Sequence, residues 1–193
     1  MRVIIFIDGT WLWHNMMAMR AVQGPKIDLS KLPNLLIQQV CNQLELPLEY
    51  IATILCASIP INTHSLDARI VSKRRHFFEV LQAKCGYTVE LFEIDFRGRR
   101  LLKQDREFND NWEPKEKCVD IATASNIFFY ANQYDLAIVV TGDRDFLPAL
   151  TKIQVLGKQI AIASFENSCS QELIDLVPEV IWIDTLLSQM ILE

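Results

Sequence analysis

Apolar residues in this chain fall into two patterns that alternate from one end to the other. Residues 3–7 (VIIFI), 50–59 (YIATILCASI), 136–140 (LAIVV) and 158–165 (KQIAIASF) are largely continuous apolar runs, the signature of strands covered on both faces in a parallel sheet. Residues 87–96 (YTVELFEIDF) alternate apolar and polar positions instead, which suits a strand near the sheet edge, and 180–183 (VIWI) make a last short strand. Between the runs the spacing is helical. Residues 11–20 predict a helix packed on the sheet and ended by Gly24 and Pro25, and Asp28 or Ser30 can cap a second one that reaches Leu44 before Pro47. Its stripe is Leu32, Leu35, Leu36, Val40 and Leu44.

After the strand closed by Pro60, residues 63–85 predict a helix with Leu66, Ile70, Phe77 and Leu81 inward and Gly86 as its C-cap. A helix from Asp120 to about Asn132 places Asp120 on the buried face with Ala124, Ile127 and Ala131. Phe146, Leu147, Leu150, Ile153 and Val155 predict another, ended by Gly157. Ser168 or Ser170 caps a short helix to Leu176, and Asp184 a terminal one. Strand and helix alternate throughout, so the fold class is α/β, a mostly parallel central sheet flanked by helices with right-handed crossovers.

A chain of 193 residues, half of them apolar, is expected to form a single domain spanning residues 1–193. No apolar stretch approaches the roughly 20 residues that span a bilayer, and the amino terminus reads as a strand, so a soluble, unexported, cytoplasmic protein without a membrane partner is expected. Five scattered cysteines without a CxxC pair read as reduced core thiols, and the histidines, His14, His64 and His76, lack ligand spacing. A formal charge of −5 argues against a protein that binds nucleic acid by being basic all over, while leaving room for local basic patches.

The candidate chemistry lies where strands end. The first run ends on Asp8 and Gly9, and the run before residue 141 ends in TGDRDF, which carries Asp143 and Asp145. In open α/β sheets the carboxyl ends of strands form the ligand crevice, so these acids converge at one edge, together with Asp120 at the start of its helix. Gly-Asp is also plain turn chemistry, and an acid suits any helix start. Converging carboxylates repel unless a cation or proton shares them, and Mg2+ or Mn2+ is the economical answer. The matching chemistry is in-line attack of water on a phosphodiester, and no serine, cysteine or histidine nucleophile system competes with it. Residues 97–117 hold seven Lys or Arg against five acids and read as a binding loop, in which Arg97, Arg99, Arg100 and Lys117 are phosphate candidates. Arg69, Lys73 and His76 fall on one helix flank, either a solvated face or a weaker phosphate contact.

FIDG at residues 6–9, KCVD at 117–120 and TGDRDF at 141–146 resemble, in order and spacing, an NYN domain of the LabA-like branch of the PIN-like nucleases, and the match covers nearly the whole chain. The resemblance implies a Rossmann-like PIN fold and a divalent-metal ribonuclease acting on RNA. By position, Asp8, Asp120 and Asp143 would hold the metal, with Asp145 in the same catalytic cluster and Thr141 as a supporting hydroxyl. Thr10, Trp11 and Arg144 stand beside these motifs as further substrate contacts. The chain departs from the family pattern at Trp11, where an Asn is usual, and at Asn126, where many relatives carry an acid. Trp11 is then either a core residue or a platform that stacks an unpaired base, which would favour single-stranded RNA. A non-catalytic RNA-binding or regulatory protein on the same fold is the alternative. A phosphatase reading of Asp8-Gly9-Thr10 lacks its nucleophile, since Phe6 stands where that family needs an acid. A protein that holds a long RNA can also form a homodimer.

Overall fold

The first apolar run becomes strand β1 (Arg2–Asp8), buried from Val3 onward in a computed structural model that describes residues 1–21, 26–114 and 118–192. Its side chains alternate between two cores. Val3, Ile5 and Ile7 pack on one face with Leu12, Leu36, Phe78 and Leu186, while Ile4 and Phe6 pack on the other with Ile127, Tyr134, Phe146 and Leu150. Burying a side chain of this kind is worth about 1.5–3 kcal/mol, so a strand apolar on both faces has its lowest free energy in the middle of a sheet. Asp8 continues the face of Ile4 and Phe6 at the strand's carboxyl end.

The remaining strands are β2 (Glu49–Ile61), β3 (Tyr87–Asp95), β4 (Leu136–Val140), β5 (Gln159–Ser164) and β6 (Val180–Trp182). They form one sheet in the order β3-β2-β1-β4-β5-β6, with every pairing parallel. Helices α1 (Gly9–Ala21), α2 (Leu32–Leu44), α3 (Ala68–Cys85) and α7 (Ile183–Met190) supply the first core. Helices α4 (Val119–Phe129), α5 (Leu147–Val155) and α6 (Gln171–Ile174) supply the second. The chain winds outward from β1 to β3, then returns to place β4 on the other flank of β1. The carboxyl ends of β1 and β4 therefore border the crevice where the winding direction reverses. Among the described residues no helix is long and apolar enough to cross a membrane.

The expected parallel sheet is borne out, with every pairing parallel. Other expectations are corrected. Strand β2 runs through Pro60 to Ile61. Ser58 N donates to Thr10 Oγ1, away from β3, and Pro60, two residues on, faces the same way, so its missing N–H costs the β2–β3 ladder nothing. In α3 the inward stripe is Arg74, Phe78 and Leu81, about one residue round from the predicted one, and Leu66 and Ile70 stay exposed. In α4 the buried positions are Val119, Thr123 and Ile127, which leaves Asp120 about 100° off that line and exposed. Asp184 lies in the first turn of α7, its carboxylate accepting from Glu166 N. Asp28 caps the 3-10 turn (Leu29–Lys31) that precedes α2, accepting from Ser30 N and Oγ, while α2 itself starts after Lys31 without a side-chain cap. Gly24, Pro25 and Lys117 lie outside the described residues.

Candidate active site

Asp8 is 3 % exposed at the end of β1. Its Oδ1 accepts from Trp11 N at 3.0 Å, closing the first turn of α1, and its Oδ2 accepts from Thr141 Oγ1 at 3.5 Å across the crevice. The chain can turn into α1 here because residue 9 is glycine. A Cβ on Gly9 would stand 2.8 Å from the Cys56 carbonyl oxygen and 2.7 Å from Leu55 Cδ2. Thr141 is wholly buried at the end of β4 and works in two directions, donating to Asp8 and accepting from Asp143 N at 3.2 Å. One hydroxyl thus links the acids of two strands.

The turn beyond Thr141 is shaped by its neighbour loop. A Cβ on Gly142 would fall 1.8 Å from the Ser168 carbonyl oxygen, and Gly142 O accepts from Ser170 N at 3.0 Å. Asp143 then caps a short 3-10 turn (Arg144–Phe146), its Oδ1 accepting from Asp145 N at 2.9 Å. Asp120 faces this turn from the first turn of α4. Desolvation pushes its carboxyl above the usual range, and the charges of Asp143 and Asp145 push it further. The three acids therefore share one electrostatic neighbourhood, although among the described residues no three His, Cys, Asp or Glu groups form a ready-made metal cage.

One group that the sequence pattern did not single out lies at the same level. Strand register aligns Asp8 with Cys56 and Cys56 with Glu90. Glu90 Oε1 accepts from Asn126 Nδ2 at 3.1 Å, and Asn126 Nδ2 also approaches Cys56 Sγ at 3.4 Å. Burial, with the charges of Glu90 and Asp8 adding to it, pushes the Cys56 thiol up to about 11, so it stays protonated at neutral pH and is no thiolate nucleophile. The only sequence signal for Glu90 was its polar place in an alternating strand.

The other candidates separate into two groups. Thr10 is buried and committed to Ser58, 3.0 Å from its Oγ. Arg99 pairs with Asp110 at 2.9 Å, and Arg100 bridges Asp67 and Asp105, each at 3.0 Å, so both arginines hold the loop before α4 together. Trp112 gathers that loop, with the guanidiniums of Arg99 and Arg106 at 4.8 and 5.6 Å from its ring. Arg106 donates to the carbonyl oxygens of Arg100, Leu101 and Trp112. Arg97 and Arg144 are exposed, Arg144 standing 3.6 Å from Glu172. Trp11 is partly buried against the core, its ring 5.6 Å from that of Phe165.

A family model for the NYN domain matches residues 2–184. Among solved structures, a crystal structure of a protein of unknown function from Vibrio parahaemolyticus superposes with a TM-score of 0.56 at 20 % identity, covering 99 % of this chain and 96 % of that one. At that identity the likeness speaks to the fold. A search of curated proteins finds no match.

Proposed function

The chain belongs to the NYN domain family, whose members are PIN-like nucleases, and we propose that it is a divalent-metal-dependent ribonuclease of the LabA-like branch. The observation that carries this reading is the raised carboxyl of Asp120 opposite Asp143 and Asp145, beside a crevice whose far wall is Asp8. Desolvation raises the Asp120 carboxyl most and the charges of Asp143 and Asp145 raise it further, so a cation placed between them is favoured.

The donor set suits Mg2+ or Mn2+. Such ions take hard carboxylate oxygens, and Mg2+ commonly binds through one or two carboxylates and substrate phosphate rather than in an all-protein cage. Asp120 and Asp143 would hold the ion with Asp8 behind them, and Asp145 adds negative charge at the rim. When bound, the ion supplies charge neutralisation for the phosphate and a more acidic attacking water. Thr141 fixes Asp8 and Asp143 relative to each other, and the Gly142 turn, pressed on the Ser168 carbonyl, fixes Asp143 relative to β5. Arg97, Arg144 and the exposed part of Trp11 are left to meet a strand of RNA, whereas Thr10, Arg99 and Arg100 serve by shaping the walls.

A single continuous sheet supports one domain, five free cysteines support a reducing compartment such as the cytoplasm, and exposed Ile121 and Phe129 on α4 support a homodimer. The second reading, RNA binding without cleavage, is favoured by the lack, among the described residues, of a three-ligand cage. Purified protein incubated with single-stranded RNA separates the two. Cleavage with Mg2+ or Mn2+, absent with chelator and absent in Asp143→Asn, is expected. Binding without cleavage under every metal condition would leave the non-catalytic reading standing.

A further inference from the structure

On the α1–α3 face, away from the acids, lies a slot of about 310 Å3 walled by Trp13, Met16, Met17 and Phe77, with Lys73 and His76 at its rim. The Trp13 ring lies 5.3 Å from Phe77 and carries the Arg74 guanidinium 5.4 Å above it. Arg74 reaches from there to Ser58 Oγ at 3.1 Å, and Ser58 shares a hydrogen bond with Thr10, two residues past Asp8. The slot is thus built onto the same turn that presents the first acid. Trp13 follows Asp8 by five residues, about 8 Å along a helix axis at 1.5 Å per residue.

An apolar slot alone would suit many occupants. Two features select one. The slot's size is at the low end of the roughly 300–1,000 Å3 of small-ligand pockets, which matches one flat ring system. It also opens on one of the two most cationic stretches of an acidic chain. Residues 69–76 carry Arg69, Lys73, Arg74, Arg75 and His76 with no acid between Asp67 and Glu79, in a protein of net charge −5. Arg69, Lys73, Arg75 and His76 are exposed. Aromatic and thioether walls beside exposed cations are what a base and its adjoining phosphate require.

We propose that this slot takes an unpaired base of the RNA strand whose phosphates meet the acids, with Lys73 on the neighbouring phosphate. The proposal rests on the ribonuclease reading and adds to it a base subsite whose Trp13 wall lies about 8 Å along the α1 axis from Asp8. It also states why single strands are the substrate, since a paired base has no free ring to insert.

The test is fluorescence anisotropy in the Asp143→Asn background, comparing a single-stranded RNA with an abasic phosphodiester strand of equal length. Met17 is 41 % exposed, so Met17→Glu places a charge in the slot at little risk to folding. Because that charge repels either strand, the reading is the difference. The loss of affinity is expected to be at least about tenfold greater for the base-bearing strand, and Lys73→Ala is expected to lower the salt slope by about 0.7 for both. Equal losses for the two strands, or none, would overturn the subsite while leaving the ribonuclease reading intact. A shift from dimer to monomer in Met17→Glu would show a second copy covering the slot and overturn it as well. If the parent protein binds neither strand, the ribonuclease reading falls and takes the subsite with it.

Discussion

Thr141→Val isolates the hydroxyl that ties the two strand-end acids together. The substitution keeps the buried shape and removes a donor to Asp8 Oδ2 and an acceptor for Asp143 N. A hydrogen bond to a charged group is worth about 1.5–3 kcal/mol, and at 3.5 Å the contact with Asp8 belongs at the low end, about 1.5. Depriving the half-buried Asp143 N of this acceptor adds about 1 kcal/mol, and the extra buried methyl returns about 0.8. The net loss is about 1.5–2 kcal/mol, which in a protein of this size lowers Tm by about 3–8 °C. Cleavage is expected to fall by at least about tenfold, since 1.4 kcal/mol of lost positioning accounts for that factor. Thr141→Ser is the control: it keeps the hydroxyl, gives up one buried methyl, and is expected to retain activity within about threefold while melting about 2–4 °C lower. Thermal unfolding followed by circular dichroism and metal-dependent cleavage of single-stranded RNA give both readouts. If the valine and serine variants cleave equally well, the hydroxyl does not organise the site.

Two further substitutions probe the frame around it. Gly142→Ala forces a Cβ to within 1.8 Å of the Ser168 carbonyl unless the turn or its neighbour loop moves, and is expected to cost about 1–3 kcal/mol and most of the activity; a melt and a cleavage rate matching the parent would show that the 166–170 loop yields freely. Asp135 is held down to about 2, first by its side-chain hydrogen bond to Arg2 and then by Arg2 N–H, so its contribution to stability is present above its unfolded value of about 3.9 and is lost as pH falls through about 2. Asp135→Asn is expected to flatten the stability curve between about pH 4 and pH 2, and an unchanged acid limb in denaturant melts would refute the linkage.

What was legible in the sequence was whatever a single element encodes. Continuous apolar runs reported strands buried on two faces, and acids directly after such runs reported the crevice, because strand ends in a parallel sheet are also ligand positions. What was not legible needed two elements at once. Glu90 reads as one polar position in an edge strand until the registers of β1, β2 and β3 set it level with Asp8. Arg99 and Arg100 read as cations offered to phosphate until the fold brings Asp110, Asp67 and Asp105 to them. Pro60 reads as a strand end because the pattern cannot tell which side of β2 its nitrogen faces.

Helix faces failed for a related reason. In α4 the apolar residues are dense enough that two neighbouring lines, one through Asp120 and one through Val119, fit a buried stripe, and only packing on β1 and β2 decides between them. The decision matters for chemistry. A buried Asp120 would have been a carboxylate demanding a permanent partner, whereas the exposed one keeps a raised carboxyl, through desolvation first and then the charges of Asp143 and Asp145. Asp8 is the opposite case, buried and holding the first turn of α1 through Trp11 N as well as facing Thr141. The site is thus asymmetric, with a buried acid in the far wall that the fold itself needs and more exposed acids at the rim. It is the rim that the Gly142 turn and the start of α4 hold in place.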